Sequence, residues 1–572
     1  MLSSLKYLLA GFLLATFLFV GVSKGFAQAG EPRLALVIGN AQYRSGPLAT
    51  AANDAGLVAQ SLQAAGFDVT GAADLDQEAL RHAFREFLDK VRNAGPDAVV
   101  FVYLAGRGVQ YAGENYFVPI DATIARDSDV PVEALRLADY SQALAGLPLK
   151  ARIIVLDAAR ANNYAKSGAP LAGGLALVDA EPGSLYAFNA APGTIAPDEQ
   201  GPYGFYAQAL VEMMHQGFPA DEVFAQTRLR VNQVSAGTVV PWDVSKIDTP
   251  IFFFQRETSA PSLQNPANLN RALRDYPVPE AYAIAIERDT IVAYQEFLAA
   301  YPGDPLAARI RALLAARREA LTWRRAVDAN SPSAYWSYMR RYPHGPHFAD
   351  ARRRLILLAA ALDPPPRFDP YDFVGLAPPP EAEYEIVDRP VLIFDYPDYP
   401  PPPPPPFYIL PERPAEFVRL PPPPAHERGI LPIPVPIPLP FSHPATRAPG
   451  VISQPKFGQQ QSPNQTQPQL PGHELPAPGP HPAQEHEHAV PPGPHPAQEH
   501  ELAVPPGPHV APEHEHAVPP GPHPAPEHEH AEPHPAPPPH AAPPPAPHPP
   551  APPPHPAPPL PKKDEHKHDE PK

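Results

Sequence analysis

A chain of 572 residues with 92 prolines, no cysteine and a formal charge of −17 is too long for a single core and too rich in proline to be packed throughout. Prolines crowd the sequence from about residue 364, so the expected organisation is one large and one small folded unit followed by a long tail. The lack of cysteine excludes thiol chemistry, and the first folded unit carries no zinc spacing, phosphate-binding loop or dinucleotide fingerprint.

Residues 1–29 read as an export signal, with Lys6 for charge, an apolar run from Tyr7 to Val22, and Ala27-Gln28-Ala29 as a small-x-small cleavage site. The apolar run falls short of the roughly 20 residues that a spanning helix needs. The expectation is cleavage before Gly30 and a body exported to the periplasm or the cell exterior, with an uncleaved N-terminal membrane anchor as the alternative.

Residues 30–256 alternate strand and helix patterns. Arg33 to Asn40 reads as a first strand ending in a glycine turn, and Ala51, Ala55, Val58, Leu62 and Ala65 share one face of a helix. A short strand at Phe67–Thr70 follows, then a helix from about Asp76 to Val91 with Leu80, Phe84, Phe87 and Val91 on one stripe. Val99–Leu104 and Ile153–Leu156 are continuous apolar runs, the pattern of central parallel strands covered on both faces. Val109–Pro119 reads as a hairpin with a glycine-centred turn. A strand near Leu185–Asn189, helices at Tyr203–His215 and Ala220–Val234, and a last strand at Ile251–Phe254 complete the unit. The order predicts an open, mostly parallel α/β sheet with helices on both faces.

Chemistry in such sheets sits where strands end at their carboxyl side. Here those places are Ala105-Gly106-Arg107-Gly108 and Asp157-Ala158-Ala159-Arg160. The two loops resemble the catalytic loops of bacterial caspase-like and metacaspase-like cysteine peptidases, which read Gly-His-Gly after one strand and Asp-Ala-Cys-Arg after a later one. The order of elements over about 220 residues is similar too, and implies the caspase-like fold. The resemblance places Arg107 at the His position and Ala159 at the Cys position. An alanine has no lone pair for a carbonyl, and an arginine stays protonated and cannot act as base. The implied dyad is therefore not intact, and the family member expected is a pseudoenzyme.

Asn53-Asp54-Ala55 matches an Asn-Asp-Ala motif of the metacaspase-like members. By the same resemblance Asp54 and Asp157 are the substrate-binding pair, lining a pocket for an Arg or Lys side chain. Two other readings stand beside this one. Asp54 can cap its own helix and Asp157 simply end a strand, or Arg107 can reach Asp157 and fill the pocket from within. His82 and His215 lie in helix patterns with no nucleophile motif beside them.

After a linker at 257–277, residues 278–362 contain a 41-residue repeat, Ala293–Pro305 aligning with Ala334–Pro346, which reads as helix hairpins resembling tetratricopeptide-like repeats. Tyr335, Tyr338 and Tyr342 form a stripe expected in its core. Arg317, Arg318, Arg324, Arg325, Arg340, Arg341 and Arg352 to Arg354 make the unit basic, a face for envelope or membrane-surface contact or an acidic partner, or else a solvated face. Nothing points to nucleic acid.

Residues 363–470 read as a disordered proline-rich segment, with seven consecutive prolines from Pro400 and aliphatic or aromatic islands able to dock as short motifs. Residues 471–572 form a low-complexity tail that holds 18 of the 24 histidines, with a 14-residue repeat marked by Gly479, Gly493, Gly507 and Gly521. No cofactor is implied. The tail offers imidazoles for loose divalent-metal binding but fixes no coordination number, and an extended linker is the alternative. Three functions follow: a pseudo-peptidase that binds basic peptides or a protein partner, a hydrolase with an atypical site, and an envelope scaffold.

Overall fold

The computed structural model describes residues 31–255, 271–389, 391–394, 397–425, 427–432 and 434. All lie in one of the chain's two compact units, Met1–Ser453. The expected export signal at 1–29 and the histidine-rich tail at 471–572 fall outside the described residues.

Strand β1 (Arg33–Gly39) leads into helix α1 (Ala51–Ala64), β2 (Asp68–Ala73), α2 (Gln77–Arg92) and β3 (Val99–Ala105). A hairpin, β4 (Gly108–Tyr111) and β5 (Glu114–Phe117), is joined by β6 (Leu135–Arg136) and followed by α3 (Leu137–Ala145). Then come β7 (Ala151–Asp157), β8 (Ser184–Phe188), α4 (Phe205–Met214), α5 (Ala220–Val234) and β9 (Trp242–Ser245). The main sheet has the order β2-β1-β3-β7-β8-β9. It is parallel except for β9. Strands β3 and β7 are buried at every position, as their unbroken apolar runs require. Both end at one level, Ala105 facing Asp157, so the loops carrying Arg107 and Ala159 lie side by side.

Gly39 ends β1 under α1. A Cβ there would sit 2.6 Å from the Ala51 carbonyl oxygen and 2.6 Å from the Ala55 Cβ. Gly39→Ala is expected to lose about 1–3 kcal/mol, the cost of overpacking a fixed interface. The check is the urea midpoint, and an unchanged midpoint would mean that α1 is free to shift.

The last strand differs from the expectation. Sheet pairing is made by Trp242–Ser245 against β8, while the Ile251–Phe254 run contributes only a bridge from Pro219 to Phe252. The run serves as apolar filling instead. Phe253 packs on Phe67 and Phe101 at 6.3 and 5.8 Å between ring centres. Trp242 is anchored by Phe188 at 5.0 Å.

The helical unit comprises α6 (Val278–Arg288), α7 (Ile291–Ala300), α8 (Leu306–Ala329), α9 (Pro332–Arg341) and α10 (Phe348–Leu357). The 41-residue repeat recurs in atomic detail. Thr290 and Ser331 cap α7 and α9 by accepting from the amides of Ala293 and Ala334. Asp289 and Asn330 before them both have left-handed backbones, and Tyr301 and Tyr342 close the two helices with amide bonds of 2.8 Å to Phe297 and Tyr338. The stripe Tyr335, Tyr338, Tyr342 is fully buried. The 257–277 linker is described only from 271. There Leu273 and Tyr276 are buried, and the Leu273 amide donates to Glu296 at 2.8 Å.

Each of the nine arginines singled out from sequence has a partner among the described residues. Arg317, Arg318 and Arg324 pair with Asp289, Glu383 and Asp179. Arg325 and Arg341 donate to the carbonyls of Val374 and Leu376, and Arg340 stacks on Phe368. Arg352 pairs with Asp363, Arg353 with Asp350, and Arg354 donates to the carbonyl of Ala112.

The segment expected to be disordered from 363 instead packs on the body through several of its described residues up to 432. Helix α11 (Glu381–Val387) lies on α8, where Glu383 pairs with Arg318. Beyond it Leu392, Phe394, Tyr399, Ile409, Leu410, Phe417 and Leu431 are all buried. The Gly429 amide donates to Ala73 of edge strand β2 at 2.7 Å. Composition reads such a stretch as unable to build a core. Here its apolar islands fill grooves of a body already folded.

Candidate functional site

The loop after β3 is tied to the loop after β7 by backbone bonds. The Gly106 amide donates to Asp157 at 3.1 Å, and the Gly108 amide to Ala158 at 2.8 Å. Glycine is required at 106, where a Cβ would lie 2.5 Å from the Tyr43 hydroxyl. That hydroxyl accepts the Arg107 amide at 2.8 Å and donates to the Val118 carbonyl at 3.1 Å.

Ala159 is wholly buried. Its amide donates to Asn189 Oδ1 and its carbonyl accepts from the Ala196 amide, each at 2.9 Å. Arg107 is 3% exposed. Its guanidinium reaches Asp198 at 3.1 Å and the Ala161 carbonyl at 3.3 Å, and lies 5.8 Å from the centre of the Tyr43 ring. Arg107 therefore turns away from Asp157, contrary to the plug considered from sequence.

The arginine that takes Asp157 is Arg160, three residues on along the same loop. It pairs with Asp157 Oδ1 at 2.9 Å, while Tyr103 donates to Oδ2 at 2.8 Å. Its other nitrogen reaches the Pro197 carbonyl at 3.2 Å. Asp54 does not cap its own helix. Its Oδ1 accepts the Gly204 amide at 2.7 Å, joining α1 to the start of α4, and the Thr50 hydroxyl also favours its charged form. Glu199 accepts from the Phe205 amide. A Cβ on Gly204 would lie 2.5 Å from Glu199 Oε2 and 3.0 Å from Asp54 Oδ2, so the two carboxyl groups flank that glycine.

The site thus brings Asp54, Asp157, Asp198 and Glu199 around two guanidinium groups. Burial, then repulsion from Asp157, raises the Asp54 carboxyl well above the usual carboxylate range. Burial pushes Glu199 up to about 7 against the pull of Arg160. Burial also works against the charged form of Arg160, but the carboxylates of Asp157, Glu199, Asp54 and Asp198 outweigh it and hold the proton more tightly. Asp54 and Asp157, the expected substrate pair, do share one site. As found, it is occupied from within by Arg160.

Arg160, Asp198, Glu199, Tyr103 and Asn189 were not anticipated. Only Arg160 had a visible signal, its spacing from Asp157. The two helical histidines differ from each other. His82 is exposed beside Glu86. His215 is half-buried and its Nε2 lies 3.1 Å from Ser61 Oγ, a partner 154 residues away. Burial lowers it to about 4, so the ring is neutral. Ser61 is buried inside α1, and the imidazole packs against Phe254 and Phe417, which makes the pair a packing contact. Among the described residues no three His, Asp or Glu side chains converge to hold a metal ion.

Residues 32–252 match the family model of the caspase domain. The first folded unit is thus a caspase-like, peptidase-family domain, carried on a chain whose remaining residues lie outside that match. Among solved structures, the Drosophila initiator caspase Dronc is similar at 12% identity, covering 39% of this chain and 82% of that chain with a TM-score of 0.28. No curated protein matches the sequence.

Proposed function

We propose that this caspase-like domain does not cleave peptides and serves as a protein-binding scaffold in the cell envelope. The observation that carries the proposal is Ala159. At the end of β7, where the resemblance expects a thiolate, there is a buried methyl group whose backbone is fastened on both sides. Nucleophilic acyl transfer needs an attacking atom and a base beside it. Arg107, protonated and held by Asp198, supplies neither. The pattern of residues 1–29 supports the envelope location, and among the described residues no helix is long and apolar enough to cross a membrane.

A second reading, binding of basic peptides at Asp54 and Asp157, draws support from the mutual repulsion of these two buried carboxyl groups, which an added cation would relieve. It requires Arg160 to swing out, because a second guanidinium needs the carboxylate that Arg160 now holds. The test is turnover of Arg, Lys and Asp fluorogenic peptides by the full chain and by Arg107→His with Ala159→Cys. The unaltered chain is expected to show none. Cleavage after Arg or Lys by the double variant alone would favour the second reading. Turnover by the unaltered chain would overturn both.

A further inference from the structure

Arg309, on α8, is 1% exposed, and among the described residues it forms no ion pair with a carboxylate. A buried guanidinium without a counterion needs several acceptors to offset its lost hydration. Arg309 finds them in main-chain carbonyls, donating to Gly237, to Tyr399 at 2.8 Å and to Pro400 at 3.2 Å. The rings of Phe394 and Tyr399 stand 5.3 and 5.9 Å from its Cζ, and meet each other edge-on at 5.2 Å. Two of the three carbonyls and both rings belong to the proline-rich segment.

The fit continues along that segment. Gly237, just past α5, has φ +82, and a Cβ there would lie 2.5 Å from Pro402 and 2.9 Å from the Arg309 guanidinium. At the far end Arg230 of α5 donates to the Pro411 carbonyl. Arg413 closes the contact on Glu212, a fully buried carboxylate of α4, at 3.0 Å. A polyproline II strand exposes carbonyls and has no N–H to satisfy. Arginine donors aimed at its bare carbonyls, with the segment's own rings laid on a guanidinium, are chemistry that suits such a strand.

We propose that α5 and α8 form a polyproline-recognition groove, with Arg309 as its reading residue, and that its occupant is this chain's own segment 397–413, together with the ring of Phe394. The groove binds an aromatic residue followed by a Tyr-Pro-Pro run. Occupied in cis, it fastens the proline-rich arm across the caspase-like domain. The Leu392 amide, bonded to Gly193 at 3.3 Å, carries the fastening to the loop that follows β8.

The test follows chymotrypsin cleavage after Phe394 in the full chain by mass spectrometry, because cleavage of a transiently opened segment tracks its opening equilibrium. Arg309→Met is expected to speed that cut by about tenfold or more, the effect of losing hydrogen bonds to a charged donor. Tyr399→Ser, which leaves the body of the protein untouched, is expected to act in the same direction. A synthetic peptide spanning residues 397–412, added in excess to the unaltered chain, is expected to speed the cut by competing for the groove. The same peptide with its prolines replaced by serine is not. The proposal is overturned if the bond after Phe394 is cut as fast in the unaltered chain as in a free peptide, if both variants leave the rate unchanged, or if the two peptides act alike. Protection that is lost on dilution would place the occupant on a second copy and overturn the cis assignment.

Discussion

Replacing Arg160 with methionine is expected to cost the full chain about 3–5 kcal/mol, the loss typical of removing one partner from a buried ion pair. The side chain is 4% exposed and is the cation bonded to Asp157, which is itself 1% exposed. Methionine fills similar space but leaves Asp157 with the Tyr103 hydroxyl alone. The loss should shrink toward pH 5, since carboxyl groups without the guanidinium take up protons more readily. Glu199 supplies a separate signature. Its folded value of about 7 lies above its ordinary 4.5, so between those two pH values the folded chain holds a proton that the unfolded chain has lost. Stability from this group therefore falls as pH rises from 4.5 to about 7. Glu199→Gln is expected to flatten that slope. Urea midpoints from pH 4.5 to 8 read both effects. An Arg160→Met midpoint equal to that of the unaltered chain would show that the carboxyl cluster needs no internal cation.

His347→Phe should weaken the joint between the helical unit and the caspase-like domain by a similar amount, about 3–5 kcal/mol. His347 Nδ1 lies 2.8 Å from Glu319 of α8, and Nε2 lies 2.9 Å from Gln110 Oε1 of β4. Gln110 uses its own amide on the Gly173 carbonyl, so its oxygen faces the ring, and both ring nitrogens must donate. The imidazole is thus the charged form. It lies flat on Trp323 at 5.0 Å, a contact that phenylalanine keeps. Tyr338 of α9 also donates to Glu319, at 2.6 Å, and Asp350 lies on the next helix. Burial opposes the charge, but Glu319 and Asp350 prevail and raise the value above the usual 6.5. A raised histidine contributes its full stability below 6.5 and loses it as pH climbs through the folded value. The unaltered joint is expected to weaken in alkali, and that dependence should vanish in the variant. A pH slope unchanged by His347→Phe would show that another group titrates at the joint.

The sheet could be read from sequence because its central strands are unbroken apolar runs, and the neighbouring loops of Arg107 and Ala159 because they leave those strands. The hairpin was readable through Ala112-Gly113, two residues with positive φ that make a tight turn. Side-chain direction was not readable. Arg107 and Arg160 are both within reach of Asp157 in principle, and the choice is made by Tyr43 and Asp198, which lie 64 and 91 residues from Arg107. Edge strand β9 was hidden because Asp243 and Ser245 break the apolar pattern, and only the fold reveals that Arg228 pairs with Asp243. Composition misjudged the proline-rich segment because its burial depends on a surface made elsewhere in the chain.

Two oddities of composition, the proline excess after residue 364 and the arginine-rich helices before it, meet at one contact. Proline contributes an acceptor to the hydrogen-bond census and no donor, so a body that buries a proline-rich arm must run a donor surplus at the contact. Arg309, Arg325, Arg341 and Arg230 meet that demand at the carbonyls of Tyr399, Val374, Leu376 and Pro411, and Tyr203 at that of Pro421. Guanidinium suits the task better than ammonium because it is weakly hydrated and fans its five N–H groups in a plane. These four arginines thus answer an internal stoichiometry, while others of the arginine-rich helices are matched by carboxylates. A related chain that dispenses with the arm has no use for these four arginines, and should be found to have lost them together.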